Sequence, residues 1–427
     1  MEIRDPIHGN IDIHPKMEAV MSHPVYQRLR QIKQLGFGEF SYPGATHNRY
    51  MHSLGASHNA GRIFDSIFKG YSFAKATDKW RLREATVLAA LLHDIGHGPL
   101  SHTTEEVMPN LSELKIPCYK NQKDRRANHE DYTIKFVTDS DLSRCISENF
   151  QDISPLHIAC IIDKTLSVPD DFFIVGGLDF RPILTQIISS ELDADRMDYL
   201  VRDSYYTGTN YGHVDMDWII ANLSYHIVNG SLHLALNRRA LYTFDDFLIS
   251  RHHMYLQVYF HHRCIVYDEM LNLYLTSPEC DFRLPADINE YLRYTDYLLY
   301  EHLRTSKNYW AKLIAERKPY RVTFEFHSLA ENDRLDKMQA ALNKEGFSTI
   351  QSNSQTRLSK YHATSPDEHL IHKIYVIDQF DKLSPTIPIE ETTHIFKMYE
   401  GTRRVERLYV PANEVDRAKK FIEANRL

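Results

Sequence analysis

The most strongly apolar stretch of the sequence covers residues 85–92, Ala-Thr-Val-Leu-Ala-Ala-Leu-Leu. Apolar positions on nearly every side of a helix predict that the helix is buried. Gly96, Gly98 and Pro99 follow closely and break the helical pattern. The sequence therefore predicts a buried helix over residues 78–94 that ends abruptly in a turn.

Other periodic stretches predict further helices, and alternating stretches after about residue 315 predict strands. The helices are expected at residues 48–69, from Asn128 as a cap, at 154–165, at 182–206 with Pro182 in the first turn, and at 243–277. The later elements are expected as strands at 320–326 and 373–377, a hairpin over 395–410, and a helix over 413–424. We therefore expect a mainly α domain over residues 1–315 and a small α+β region over 316–427.

Composition narrows the class of protein. The 427 residues are 25% charged and carry a net charge of −7, which argues against general nucleic-acid binding through bulk charge. No stretch of eighteen apolar residues occurs, so we expect no membrane span. The five cysteines are scattered without a CxxC pair, which is typical of a cytoplasmic protein with reduced thiols.

Candidate chemistry lies at the end of the buried helix, where His93 and Asp94 are followed by His97 and His102. A His-Asp pair alone is common, and most such pairs lie on the surface. Here the apolar flank makes burial the expectation, and an unpaired buried carboxylate costs several kcal/mol, roughly. Asp94 must therefore be paired or bound to a metal.

A metal with nitrogen and oxygen ligands requires histidines and carboxylates together. The candidate ligands are His52, His93, Asp94 and Asp195, which fall on three separate predicted helices. A helical bundle can bring such residues together. Asp195 borders a narrow apolar stripe, although the many acids around it would also suit a solvated helix face.

Several motifs resemble the HD-domain dNTP triphosphohydrolases over roughly residues 1–300. They are Gln34-Leu-Gly36, Pro43-Gly-Ala-x-His-Asn-Arg-x-x-His-Ser-Leu-Gly55, His93-Asp-x-Gly-His-Gly-Pro-x-Ser-His102 and Asp193-x-Asp-x-x-Asp-Tyr-x-x-Arg-Asp203. The resemblance implies an HD-domain helical bundle. Vertebrate members carry an added sterile-alpha-motif domain, which we do not expect in this protein because the sequence begins at the catalytic region.

The resemblance also implies roles for individual residues. His52, His93, Asp94 and Asp195 would be the metal ligands, and His102 the general acid, with Glu105 and His129 supporting it. The substrate contacts it implies are His97 and Arg49 to phosphates; Arg196, Tyr199 and Arg251 to the triphosphate and sugar; Gln34 and Asp203 to the 3′-hydroxyl; Leu35 against the 2′ position; and Tyr255 and Tyr259 near the base.

Departures from the family pattern concern the base and the activator. Tyr255 stands where the vertebrate enzyme has histidine, which affects base contacts. Ser22 stands where that enzyme has an activator-binding aspartate, whereas Gln27 and Arg30 of the same segment are retained. We expect a homo-oligomer, most simply a tetramer, that either uses a different activator nucleotide at Gln27 and Arg30 or has lost activation.

The function expected from the resemblance is hydrolysis of dNTPs to deoxynucleoside and inorganic triphosphate. The expected cofactor is a divalent transition metal (Fe, Mn, Zn or Ni), with Mg as an optional second ion. Two alternatives stay open at this point. One is another HD phosphohydrolase, a nucleotidase or phosphodiesterase, and the other is a nucleotide-sensing oligomer without activity.

Overall fold

The computed structural model describes residues 1–120, 124–330, 333–356, 358, 373–381, 385–399 and 401–425. The described residues are 52% helical, with small sheets, which confirms the mainly α fold class. Within the described residues, none of the helices combines the length and hydropathy that a membrane crossing requires. The five cysteines are all free thiols.

Helices dominate the secondary structure, and the strands between them are short. The helices are α1 Pro15–Met21, α2 Pro24–Gln27, α3 Arg49–Ile67, α4 Ala76–Leu92, α5 Leu111–Leu114, α6 His129–Thr138, α7 Asp141–Asn149, α8 Pro155–Ile162, α9 Arg181–Ile188, α10 Ala194–Thr207, α11 Met216–Ala221, α12 Leu241–Met254, α13 His262–Leu275, α14 Ile288–Tyr291, α15 Asp296–Thr305, α16 Tyr309–Ala315 and α17 Arg334–Lys344, followed by Ile395–Met398 and Val415–Ala424. The strands are β1 Glu2–Asp5, β2 Gly9–Asp12, β3 Ile174–Val175, β4 Leu178–Asp179, β5 Leu223–Val228, β6 Ser231–Asn237, β7 Arg321–Ser328, β8 Ile350–Thr356, β9 Tyr375–Ile377, β10 Ile387–Pro388 and β11 Arg403–Val410.

The predicted buried helix is confirmed as α4. Leu82 and the run Leu88–Leu92 are at most 2% exposed, and α3, α8 and α9 pack around this helix. The apolar run is therefore buried as its pattern predicts, apart from the partly exposed Val87, whereas Trp80 near the start of the helix is 37% exposed. The helix ends at Leu92, so His93 and Asp94 begin the turn beyond it.

The longest predicted helices are interrupted. Residues 182–206 form α9 and α10, separated at residues 189–193, because Asp193 caps α10 with its side chain and also accepts a hydrogen bond from the Ser190 amide at 2.8 Å. Residues 243–277 form α12 and α13, separated by a π-helical turn over Tyr255–Tyr259. π-turns often occur at functional sites.

One C-terminal strand pairs with a strand of the mainly helical region, and three other strands form a separate sheet. The predicted strand over 373–377 is confirmed in part as β9, which pairs in parallel with β6 through Ala235 opposite Tyr375. The predicted strand over 320–326 is confirmed as β7, in a three-stranded antiparallel sheet of order β7-β11-β8. The predicted hairpin over 395–410 is wrong, since Ile395–Met398 form a helical turn and β11 pairs with β7 and β8 instead.

The hydrophobic core crosses the proposed boundary at 315/316. Its main cluster extends from Ile11 to Tyr409, and a smaller cluster around Leu335 and Leu408 packs α17 and the last helix against the three-stranded sheet. The division into residues 1–315 and 316–427 stays a prediction.

We predict that Gly55→Ala destabilises the protein. A Cβ at Gly55 in α3 would lie 1.9 Å from Asp198 Oδ1 and 2.4 Å from Arg202 Nη2, inside a buried ion-pair network. Overpacking of this kind costs about 1–3 kcal/mol or more, against a gain of up to about 1 kcal/mol in helix propensity. Thermal and urea denaturation would measure the difference.

The matched control is Gly61→Ala in the same helix. Its Cβ would lie 3.0 Å from the end of the Arg83 side chain, which can move away, and in ordinary contact with Val87 at 3.5 Å, so we expect stability near wild type. Equal midpoints for the two variants would contradict the prediction.

Candidate active site

His52, His93 and Asp195 converge on one point from α3, the end of α4 and the start of α10. The ligand atoms that they offer all lie within 4.8 Å of one another. His52 Nε2 is 2.9 Å from Asp195 Oδ1, and His93 Nε2 is 3.7 Å from the same oxygen. Asp94 adjoins this group, with Oδ2 3.7 Å from His52 Nε2. The four residues predicted as metal ligands are thus brought together.

The tautomers of the two histidines suit a metal ion. His93 Nδ1 lies 2.7 Å from the Ala90 carbonyl oxygen, which can only accept, so Nδ1 carries the proton. His93 Nε2 is then a lone-pair donor, and it is a buried atom without a hydrogen-bond partner. His52 Nδ1 is likewise bound at 2.8 Å by Asp198 Oδ2, which directs His52 Nε2 at the cluster.

The carboxylates control the charge of these rings. Burial lowers the pKa of His52, but hydrogen bonds to Asp195 and Asp198 outweigh it and raise that pKa to about 10. Burial would also raise the pKa of Asp195, yet its contacts with His52 and His93 hold it below its ordinary value. A cation is therefore favoured among these oxygens, and a metal ion would replace the imidazole protons.

A buried network supports His52, and the sequence alone predicts no such role for its members. Asp198 accepts hydrogen bonds from His52 and from His8, the latter at 2.6 Å. It also pairs with Arg202 through Nε at 2.8 Å, and Arg202 continues to Asp5 at 2.9 Å. Asp198 and Arg202 belong to the last of the four family motifs. The other two members, Asp5 and His8, lie near the N-terminus, where the sequence pattern indicates no function.

A second group of titratable residues lies beside the metal-type cluster. His97, His102, Glu105 and His129 also place their ligand atoms within 4.8 Å of one another. Glu105 Oε1 is 2.6 Å from His129 Nδ1 and 3.1 Å from His102 Nδ1, and the rings of His97 and His129 stack at 3.8 Å. Although burial would raise the pKa of Glu105, these histidines lower it to about 2.

Three arginines are held by carboxylates. Arg49 Nη1 contacts Asp94 Oδ2, and Arg49 Nε donates to Ser101 Oγ at 3.0 Å. Arg196 and Arg251 both reach Glu191 Oε2, each at 2.8 Å. Glu191 was not among the predicted site residues, and its neighbouring acids in the sequence gave no reason to single it out.

The predicted contacts to the sugar and the base include both paired and unpaired polar groups. Asp203 receives His47 Nε2 on Oδ1 and the Tyr259 hydroxyl on Oδ2, both at 2.8 Å. Gln34 Oε1 is buried and has no hydrogen-bond partner. The rings of Tyr255 and Tyr259 lie 5.0 Å apart on the π-turn. Gln34 is therefore an acceptor that a bound molecule can satisfy.

One cavity of about 1090 Å³ collects most of the predicted residues. Those that line it are Gln34, Arg49, His52, His93, Asp94, His97, His102, His129, Asp195, Arg196, Tyr199, Asp203, Tyr255 and Tyr259. Glu105 and Arg251 do not line the cavity. Glu105 contacts His102 and His129, and Arg251 pairs with Glu191, which also pairs with Arg196. Gln27 and Arg30 bind each other at 2.8 Å, with the Arg30 guanidinium 3.6 Å from the Tyr50 ring centre. Leu35 caps the 3₁₀ turn Gly36–Phe40 next to Gln34.

Family comparison agrees with this arrangement. Residues 49–202 match the model of the HD domain, and residues 214–353 match that of the HD associated region. The chain therefore contains an HD domain followed by an HD associated region. The metal-type cluster lies on the HD match, and the π-turn and β7 lie on the associated region.

Individual relatives match over part of their lengths. An uncharacterized Bacillus subtilis protein, YwfO, is 34% identical over 263 residues, which are 60% of this chain and 51% of that protein. Human deoxynucleoside triphosphate triphosphohydrolase SAMHD1 is 29% identical over 219 residues, 48% of this chain and 33% of that enzyme. The crystal structure of a hypothetical protein from Aquifex aeolicus superposes with a TM-score of 0.74 at 25% identity, covering 98% of this chain and 99% of that one. The chain therefore spans about half of YwfO and a third of the human enzyme.

We predict that Asp195→Asn loses the metal while the fold persists. Asp195 contributes a carboxylate oxygen to both histidines and is one-third exposed, so its loss does not bury an unpaired group. Elemental analysis of the purified protein should show metal in the wild type and little in the variant. Circular dichroism should be unchanged.

The matched control is Asp217→Asn, a surface carboxylate paired with Arg62 and 83% exposed. It should retain the wild-type metal content. Full metal occupancy in Asp195→Asn would contradict the ligand assignment.

Proposed function

We propose that the chain hydrolyses deoxynucleoside triphosphates to deoxynucleoside and inorganic triphosphate in a metal-dependent reaction. The observation that carries the proposal is one cavity lined by a metal-type cluster, the cations Arg49 and Arg196, and the pair Gln34 and Asp203. The similarity over 219 residues to human SAMHD1, a deoxynucleoside triphosphate triphosphohydrolase, supports the same substrate class.

The cofactor we propose is a divalent transition metal, Fe, Mn, Zn or Ni, held by His52, His93, Asp94 and Asp195. The unpaired Nε2 of His93 and the mixed nitrogen and carboxylate set fit such an ion. When bound, it would polarise a phosphoryl oxygen and lower the pKa of a bound water. Mg is an optional second ion in this proposal.

Arginines suit the triphosphate because a guanidinium can contact a phosphate through two N–H groups. Arg49, fixed by Asp94 and Ser101, would contact the α-phosphate, with His97 beside it. Arg196, which lines the cavity, would contact the outer phosphates, and Arg251 shares Glu191 with it and would support this contact. Tyr199 lies between the metal cluster and the π-turn, with its ring centre 6.4 Å from that of His52.

The leaving group requires an acid, because a 5′-alkoxide leaves poorly without a proton. We assign this role to His102, whose side chain is 70% exposed and whose Nδ1 is held by Glu105. With a pKa of about 2, Glu105 is ionised at neutral pH and holds His102 Nδ1 at 3.1 Å. His129 holds the same carboxylate from the other side and fixes its position.

The sugar contacts follow from the buried acceptors. Gln34 Oε1 and the Asp203 carboxylate would receive the 3′-hydroxyl, and the His47 and Tyr259 contacts hold Asp203 in place. Leu35 would crowd a 2′-hydroxyl and so exclude ribonucleotides. Tyr255 and Tyr259 would contact the base, and Tyr255 sets the base preference where the vertebrate enzyme carries histidine.

The proposed regulation involves residues outside the active-site cavity. Gln27 and Arg30 would bind an activator nucleotide between subunits of a homo-oligomer, most simply a tetramer. Their mutual hydrogen bond and the stacking of Arg30 on Tyr50 keep the arginine extended over the surface. Sedimentation with and without dNTPs would test the assembly.

We predict that the metal-loaded protein releases inorganic triphosphate from dNTPs and not from ribonucleotides. Chromatography of the products of all four dNTPs, singly and mixed, would identify the cleaved bond. Release of monophosphate or pyrophosphate would contradict the proposal and favour another HD phosphohydrolase activity. No turnover of any dNTP by protein with full metal content would favour a sensing role.

We predict that His102→Gln loses about a hundred- to ten-thousand-fold in turnover while retaining metal, which is the range for a positioned general acid. A triphosphate ester with a p-nitrophenolate leaving group needs no proton, so it should recover much of the lost rate. The control is His213→Gln, an exposed histidine, which should behave as wild type. Near wild-type turnover of dNTPs, or loss of metal, would remove His102 from this role, and loss on both substrates would assign it to phosphate binding.

A further inference from the structure

A second cavity, of about 810 Å³, lies between the end of α12 and the strands β7 and β11. We call it the rear cleft. It shares no lining residue with the candidate active site. The basic residues that line it are His252, His253, His327, Arg334, Arg403 and Arg404.

The rear cleft concentrates positive charge in a protein of net charge −7. The charge comes from Arg334 on α17 and from Arg403 and Arg404 on β11, and no aspartate or glutamate is among the described residues that line the cleft. Burial and the neighbouring cations lower the pKa of His252 to about 4, so that ring is neutral at pH 7. A concave, cationic surface attracts anions more strongly than the same charges on a flat face. Guanidinium groups in this number are typical of phosphate recognition.

His252 is an unsatisfied polar group in the wall of the rear cleft. The residue is only 5% exposed, and its Nδ1 is buried without a hydrogen-bond partner. Its ring packs against Tyr399 at 5.5 Å between centroids. A buried polar atom left unpaired costs about 1–3 kcal/mol, which a ligand atom could recover.

The rear cleft also has aromatic and apolar lining. The Arg334 guanidinium lies 5.1 Å from the ring centroids of both Phe324 and Phe326, so a cation–π contact holds it in place. Phe326, Leu329 and Leu256 supply apolar lining. Basic and apolar side chains in one cleft suit an organic molecule that carries phosphate.

We propose that the rear cleft binds a small phosphate-bearing molecule. Its volume is that of a small-molecule pocket. The net charge of −7 disfavours a long polynucleotide, whose binding would need an extended basic surface.

The rear cleft is one residue away from the candidate active site along α12. Arg251 precedes His252 and pairs with Glu191, which also holds Arg196. A ligand that shifts His252 would therefore shift an arginine of the triphosphate site and change the KM for dNTP. This regulatory consequence, unlike the binding itself, rests on the proposed function.

The test is equilibrium dialysis of the full chain against inorganic triphosphate and against ATP, at constant ionic strength. The wild type should bind more than one equivalent per chain, and Arg403→Gln should weaken one class of sites about ten-fold or more. Arg403 is exposed, so this variant should fold, which a thermal melt would check. Arg304→Gln, a surface arginine paired with Glu301, is the matched control and should bind as wild type.

Each outcome decides the proposal. Unchanged number and affinity of bound anions in Arg403→Gln would overturn it, as would an equal loss in Arg304→Gln, which would indicate unspecific charge. Tighter binding of a single-stranded oligonucleotide than of ATP would overturn the small-molecule class. Because binding is measured without turnover, absence of dNTP hydrolysis would refute the proposed function and leave this result standing.

Discussion

The buried pairing of Asp198 with Arg202 is the interaction on which the site depends. Both side chains are 0% exposed, and Arg202 bridges Asp198 to Asp5 of the N-terminal hairpin. Removing one partner of such a pair typically costs about 3–5 kcal/mol, because the other charge stays buried. The same carboxylate fixes His52, so the ion pair that ties the N-terminus to α10 also sets the tautomer of a candidate metal ligand.

The features that the sequence predicted well are those that depend on residues close together in the chain. The apolar run of α4, the Asn128 cap of α6 and the alternation of β7 depend on neighbours in the chain, and each was found. The break at residues 189–193 and the π-turn were missed, because periodicity continues across them while side-chain caps and packing interrupt the helix. The prediction of a hairpin over 395–410 was wrong for a related reason, because β11 pairs with strands that are distant in the sequence.

In the candidate site, too, some residues could be predicted from the sequence and others could not. The candidate ligands were predicted from histidines and aspartates beside a buried helix, and the arginines from the family resemblance. One cavity collects most of these residues. The residues that support them were not predicted, since His8 contacts Asp198 across 190 residues and Glu191, between α9 and α10, pairs with Arg251 of α12. A supporting residue needs only charge and position, which many residue types at many places could provide, so sequence alone does not distinguish it.

Carboxylates hold the arginines of the site and its proposed acid, and this has a chemical consequence. Arg49 rests on Asp94, Arg196 and Arg251 on Glu191, and His102 on Glu105. Such pairing weakens each cation's attraction for an anion, yet it removes the cost of ordering long side chains when the anion arrives. A site built this way gains more from a ligand with several phosphates than from one with a single phosphate, because each further phosphate meets a donor that is already in place. That preference is the physical reason to favour a triphosphate over a monophosphate as substrate.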